Sequence, residues 1–286
     1  MIFIKGIAIG SLFPSLIVDP YQPTSIQYFI LLISEGGVTL LSTILIIIIF
    51  RSNPPTPPSP SEEHHQSIHL KEDLIQLMKN KHYLVLLFGF SVGLAAFNAL
   101  TTLLAQLIAP SGYTSDDAGI LGATVIVAGL FNAFVVGVIM DKTHAYRLLL
   151  KILLVGACGA GVFFVFSLRP DRFIPLAVSI GLMGFFLLPL LPVSFECAVE
   201  CTYPIRAEWS TGLSLCVGNV LGGILIFILQ YLISLSPTYK SGEIFTPASI
   251  LLLSLFLVSA LALFIYRGPY LRLEAEKNKD IMSANT

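Results

Sequence analysis

Residues 173–204 read FIPLAVSIGLMGFFLLPLLPVSFECAVECTYP. From Phe173 the run stays apolar for longer than the ~20 residues a helix needs to cross a bilayer. Two acids then appear, Glu196 and Glu200. A spacing of four places both carboxylates on one helical face. Inside an apolar segment such acids are costly unless something offsets them. A long apolar helix ending on paired acids is a membrane span that reaches a polar edge, and it sets the class: an all-α integral membrane protein.

The rest of the chain agrees. Only 12% of its 286 residues are charged, against about 25% in a soluble domain, and the mean hydropathy is +0.85. A net charge of −1 gives no attraction to nucleic acid. Eight apolar segments are expected, at 2–18 (broken by Pro14), 26–50, 82–108, 117–140, 147–168, 173–200, 208–235 and 246–266. Between the second and third lies the polar stretch 51–81. Its proline-rich start, RSNPPTPPSPSEEHHQS, is expected to be extended. Its end, IHLKEDLIQLMKNK, puts Ile68, Leu74, Ile75, Leu77 and Met78 largely on one face, as in a short amphipathic helix at the membrane surface. Residues 267–286 form a polar tail.

Cofactor and metal chemistry find little footing. Cys158, Cys197, Cys201 and Cys216 all lie in apolar segments and form no CxxC pair. Cys197 and Cys201 share a helix face, a pattern of packed small residues more than of a metal site. His64, His65 and His69 sit in the polar linker, where solvated histidines are the rule. The amino terminus lacks the order of a cleavable signal. There are no paired intramembrane aspartates, no HExxH and no Ser/His dyad, so an enzyme is not expected and no catalytic residue is assigned.

Orientation follows from lysine and arginine. With eight spans, both termini fall on one side. That side holds thirteen basic residues and the other three, Arg169, Arg172 and Lys240. The basic-rich side, with both termini, is expected to be cytoplasmic.

Residues 137–147, GVIMDKTHAYR, close one span on that side. Asp141 can accept from the amides at a neighbouring helix start, and Lys142 and Arg147 can pair with an acid elsewhere. The group reads either as a latch that holds one conformation or as a plain positive loop. Glu200 is the expected partner of Arg147 or Lys142, or else a solvated acid at a helix end. Glu196, about one turn or ~6 Å deeper, faces the bundle interior or an aqueous cavity. There it serves as proton carrier, cation site or second latch partner. Glu35, beside two glycines, reads equally as functional or as packing. Asn98, Asn132 and Asn219 are buried amides that line a cavity or bond between helices. Gly218, Gly222 and Gly223, with Gly212 a turn and a half earlier, are expected to make a flexible, closely packed span, and Pro189 and Pro192 are expected to bend theirs.

Several of these pieces, in this order, resemble a known family. GVIMDKTHAYR resembles the loop signature of the major facilitator superfamily in its second-half copy. FECAVECTYP followed by GLSLCVGNVLGG resembles the feline leukaemia virus subgroup C receptor-related transporters, whose pattern is close to FE-x-AVE-x-TYP-x-x-E-G. Here Glu208 is followed by Trp209, so the last pair is loosely kept. GIAIGSLFPSLIV, PPTPPS and LIQLMKNKHYLVLL are similar too. The resemblance implies twelve helices in two six-helix halves about a central cavity. The eight spans then look like the family's fifth to twelfth, with the first four missing. On that reading 1–50 is the end of the first bundle, 51–81 a cytoplasmic linker, 82–266 the complete second bundle and 267–286 a cytoplasmic tail.

The resemblance also implies function. Members are associated with choline and related amines and with haem export. Where amine-carrying members have a cavity tyrosine, this chain has Asn98, after Phe97; where they have a glutamine on the eleventh helix, it has Asn219. The expectation is a secondary transporter of a small organic solute, working by alternating access in the plasma membrane or a vacuolar or lysosomal one. Asn98, Asn219 and Glu196 would line the route. Asp141, Lys142, Arg147 and Glu200 would form the gate. The bilayer, the solute and a membrane partner supplying the missing helices are the implied partners, with no cofactor. The alternative is a non-transporting membrane fragment acting as receptor, regulator or subunit.

Overall fold

The computed structural model describes residues 24–49, 70–234 and 246–284, together with Ile17. The first expected span, the proline-rich linker with its three histidines, and Lys240 therefore lie outside the described residues, Ile17 excepted. The chain divides into two compact units, Met1–Ser67 and Ile68–Thr286. Seven helices are long and apolar enough to cross a membrane, at Ser25–Ile49, Lys81–Thr102, Ser115–Thr143, Tyr146–Ser167, Phe173–Thr202, Ala207–Ser234 and Pro247–Ile265.

In the first unit, α1 (Ser25–Ile49) carries Glu35. Hydroxyls along it bond back to the helix, Ser34 to the Leu31 carbonyl and Thr39 to that of Glu35, so these donors are not left open for lipid to meet.

The second unit starts with α2 (Leu70–Lys79), then α3 (Lys81–Thr102) and the short α4 (Leu104–Ile108). Next come α5 (Ser115–Thr143), α6 (Tyr146–Ser167), α7 (Phe173–Thr202), α8 (Ala207–Ser234), α9 (Pro247–Ile265) and α10 (Leu271–Ala284). The expected span 82–108 is thus broken at Leu103. The Thr101 hydroxyl donates to the carbonyls of both Phe97 and Asn98, a local bond that competes with the helix ladder. α7 runs on through Pro189 and Pro192.

Packing among the six spans of this unit has a crossed pattern. α3 packs on α8 and α9, while α7 packs on α5 and α6. The first helix of each three-helix set therefore lies against the second and third of the other. Three spans per set also reverse the direction of travel, so the two sets run through the membrane with opposite sense, the arrangement of inverted repeats.

Small residues set the crossings. A Cβ on Gly184 of α7 would collide with the Val125 backbone of α5, and one on Gly129 would lie 2.7 Å from the Gly184 carbonyl oxygen. Gly222 of α8 faces Ala95 and Asn98 of α3. Apolar side chains fill two layers along the bundle. One is built around Leu107, Leu121, Phe164, Leu176 and Leu229. The other lies at the basic-rich end around Leu77, Tyr83, Leu150, Val193 and Tyr266.

Two polar segments end up against this second layer. α2 is amphipathic as expected, but it is not simply a surface helix. Leu77 is fully buried and Leu74 packs beside it, while Ile75 and Met78 stay exposed. Asn80 closes the junction. Its side-chain oxygen accepts from the amides of His82 and Tyr83, capping α3. Its amide donates to the Cys201 carbonyl at 2.7 Å. The polar tail contains α10, which lies against α7.

Candidate functional site

Within α3 and α8 the close approach at Gly222 brings two amides together. Asn98 Nδ2 donates to Asn219 Oδ1 at 3.3 Å, and Asn219 Nδ2 donates to the Leu215 carbonyl at 2.9 Å. Asn98 is half-buried and Asn219 is exposed. The pair keeps hydrogen-bonding capacity to spare, since Asn98 Oδ1 has no partner among the described residues. From the basic-rich helix ends, Asn98 is seventeen residues along α3 and Asn219 twelve along α8, or about 25 and 18 Å at 1.5 Å per residue. The two residues named from the sequence therefore form one polar spot near mid-depth. Asn132 does not join it: buried in α5, it donates to the Phe185 carbonyl of α7 at 2.7 Å, and so bonds helix to helix.

The basic-rich end holds the second cluster. α5 ends at His144, whose φ of 50° turns the chain, and α6 begins two residues later. His144 Nδ1 lies 3.0 Å from the Tyr146 hydroxyl. The Arg147 amide, an orphan of the first turn of α6, donates to the Tyr270 hydroxyl at 3.0 Å. The Arg147 guanidinium stacks over the Tyr270 ring, 4.3 Å from its centroid, and Tyr146 meets the same ring edge-on at 5.8 Å. Glu200 is 4% exposed. It accepts from the Leu273 amide, in the first turn of α10, at 3.2 Å. A carboxylate from α7 thus caps α10, where the helix dipole favours negative charge. Tyr266, buried after α9, donates its hydroxyl to the Cys197 carbonyl at 2.9 Å; burial holds its pKa above the ordinary phenol value, so it stays a donor.

Several expectations change here. Glu200 does not pair with Arg147 or Lys142. Among the described residues the ion pairs are Arg206–Glu208 and Arg272–Glu276, because the amide end of α10 takes Glu200 and the Tyr270 ring takes Arg147. Asp141 and Lys142 are exposed, in the last turn of α5. Glu196 is not beside the asparagines. It is half-buried six residues from the end of α7, and its charged neighbours are Arg272 and Asp141. That sets it near the basic-rich end of the bundle. Sequence reasoning missed Tyr146, Tyr266 and Tyr270 altogether. The signal available was their clustering at span ends, which resembles an ordinary aromatic belt.

Cys197 and Cys201 are buried, and Cys201 Sγ donates to the Ala198 carbonyl. Among the described residues no group of three or more His, Cys, Asp or Glu is placed to hold a metal ion. At the opposite end a groove of about 770 Å³ lies between the 109–113 and 170–175 loops. There the Tyr113 hydroxyl donates to the Arg169 carbonyl and accepts from the Arg172 amide.

A family model described as Major Facilitator Superfamily matches residues 1–246. Among curated proteins, the choline/ethanolamine transporter flvcr2b of Danio rerio is 30% identical over 190 residues, 65% of this chain and 39% of that protein. The choline/ethanolamine transporter FLVCR1 of Felis catus is 32% identical over 177 residues, 61% and 31% of the two chains. Solute carrier family 49 member A3 of Xenopus tropicalis is 31% identical over 158 residues, 55% and 33%. The chain spans about a third of the length of these relatives.

Proposed function

Because the chain belongs to the major facilitator superfamily, we propose that it works as the carboxyl-terminal part of a secondary transporter for a small organic amine, by alternating access. α3 and α5–α9 are its second bundle, and α1 is the last helix of the first. It is an integral multi-pass membrane protein, with the basic-rich end in the cytoplasm. The plasma membrane or a vacuolar or lysosomal membrane houses it, and the rest of a first bundle completes the cavity.

The observation that carries this reading is the Asn98–Asn219 pair. It is a polar spot on two glycine-packed helices near mid-depth, with acceptor capacity left over. Binding sites of such transporters lie near the bilayer midplane, at the interface of repeats. An amide acceptor there suits the hydroxyl of choline or ethanolamine and the ammonium N–H of ethanolamine, the solutes named for two of the relatives. The gate is the basic-end cluster: Arg147, Glu196 and Glu200, with Asp141 and Lys142 in the exposed last turn of α5.

The test is uptake of labelled choline and ethanolamine into cells expressing the protein, with surface level measured in parallel. The reading expects saturable uptake that Asn98→Leu and Asn219→Leu reduce at unchanged surface level. Saturable uptake equal in both variants would remove the asparagine pair from the route.

A further inference from the structure

We propose that α10 is a releasable cytoplasmic strap that holds the ends of α6 and α7 together in the conformation seen here. The inference rests on the gating reading above, and it adds to the gate a segment and an aromatic residue, Tyr270, that the gate set did not contain.

Two reciprocal caps carry it. The first turn of any helix has amides without a partner in the helix. For α6 that need is met by the Tyr270 hydroxyl, from the residue just before α10, through the Arg147 amide. For α10 it is met by Glu200 of α7, through the Leu273 amide. The Arg147 guanidinium then sits over the Tyr270 ring, and Tyr146 closes the ring's edge. The entry to α10 is therefore gripped by two different spans at once.

Beyond that entry the grip is thin. α10 reads LRLEAEKNKDIMSA, a largely polar sequence that cannot bury a wide apolar stripe. Its Arg272–Glu276 pair is internal, and α7 is the neighbour it chiefly packs against. Among the described residues, the hydrogen bonds that tie α10 to the spans lie at its entry, and such contacts switch more cleanly than a broad apolar interface. They also span the two helix ends that bear Arg147 on one side and Glu196 and Glu200 on the other. Any movement of the α6 end against the α7 end must break one cap or the other.

Cys197 and Cys201 flank Glu200 and are 0% and 1% exposed. They report on the closed state without an added label. The chain is purified in lipid nanodiscs, and amide exchange in 271–276 is followed by mass spectrometry. Site-resolved thiol labelling of Cys197 and Cys201 is followed in the same samples. Glu200→Gln weakens one cap at nearly constant volume, and Tyr270→Phe removes the other while keeping the ring. A hydrogen bond to a charged group sets the scale for Glu200→Gln, expected to speed exchange in 271–276 by about tenfold or more, and a neutral one for Tyr270→Phe, expected to speed it several-fold; both are expected to raise labelling of Cys201. Exchange in 176–190 of α7 should stay slow, which separates strap release from loss of folding. Unchanged exchange in both variants overturns the proposal, as does faster exchange with Cys201 still protected. Neither readout involves solute, so a failed strap leaves the transport reading standing, and absent uptake leaves the strap standing.

Discussion

Asn98 and Asn132 look alike in the sequence, each a single amide in an apolar span, yet they do different work. Asn132 is buried and its Nδ2 donates to the Phe185 carbonyl, tying α5 to α7. Asn98 meets another side chain and retains an open acceptor. Asn132→Leu should therefore cost stability alone, on the order of 0.6–1.7 kcal/mol for an interhelical bond in a membrane. It would show as a small drop in thermal midpoint in detergent, with KM for uptake unchanged. Asn98→Leu should raise KM for an amine solute by about tenfold, the loss of one ~1.4 kcal/mol hydrogen bond, with little change in midpoint. The amides themselves were visible in the sequence. Their pairing was not, since Asn98 and Asn219 are 121 residues apart and only the glycine-mediated crossing brings them together. Glu200 was likewise visible as an acid in need of a partner. Its partner is a backbone amide, which no residue type announces.

At the scale of elements, crossings and docked polar segments carry the predictions. Gly184 leaves no space for a side chain against α5. Gly184→Ala should lower stability by about 1–3 kcal/mol, the usual cost of overpacking, read as a lower thermal midpoint. Gly212, which faces open space, should accept alanine without that loss. Leu77→Ala empties a fully buried site between α2 and the bundle and should cost about 2–5 kcal/mol, whereas Ile75→Ala on the exposed face should cost far less. The spans were legible because an apolar run of sufficient length has one structural outcome in lipid. The break at Leu103 was not, because the run stays apolar straight through it. α10 was read only as a polar tail. It has no apolar stripe for periodicity to detect, and what orders it is a cap supplied from a distant helix.

At the scale of the whole second unit, each three-helix set is braced by the first helix of the other. Asp141 and Lys142 stand at the basic-rich end, exposed and outside that bracing. In the complete transporter Asp141→Ala should reduce uptake several-fold while surface level and thermal midpoint hold; normal uptake at normal expression would exclude Asp141 from the gate. The class of fold and the family were readable from motif order. The division of labour between Glu196, grouped with Arg272 and Asp141, and the asparagine pair needed depth along each helix, which a string of letters does not display.

The central claim is alternating access at the asparagine pair, and it can be tested without knowing the solute. The measurement is labelling of Asn219→Cys by a membrane-impermeant thiol reagent, applied separately to each face of the membrane, with Cys216→Ser removing the exposed native thiol on the same helix. The account predicts labelling from both faces, because the site opens to each in turn. Labelling from one face only, or from neither, would contradict it.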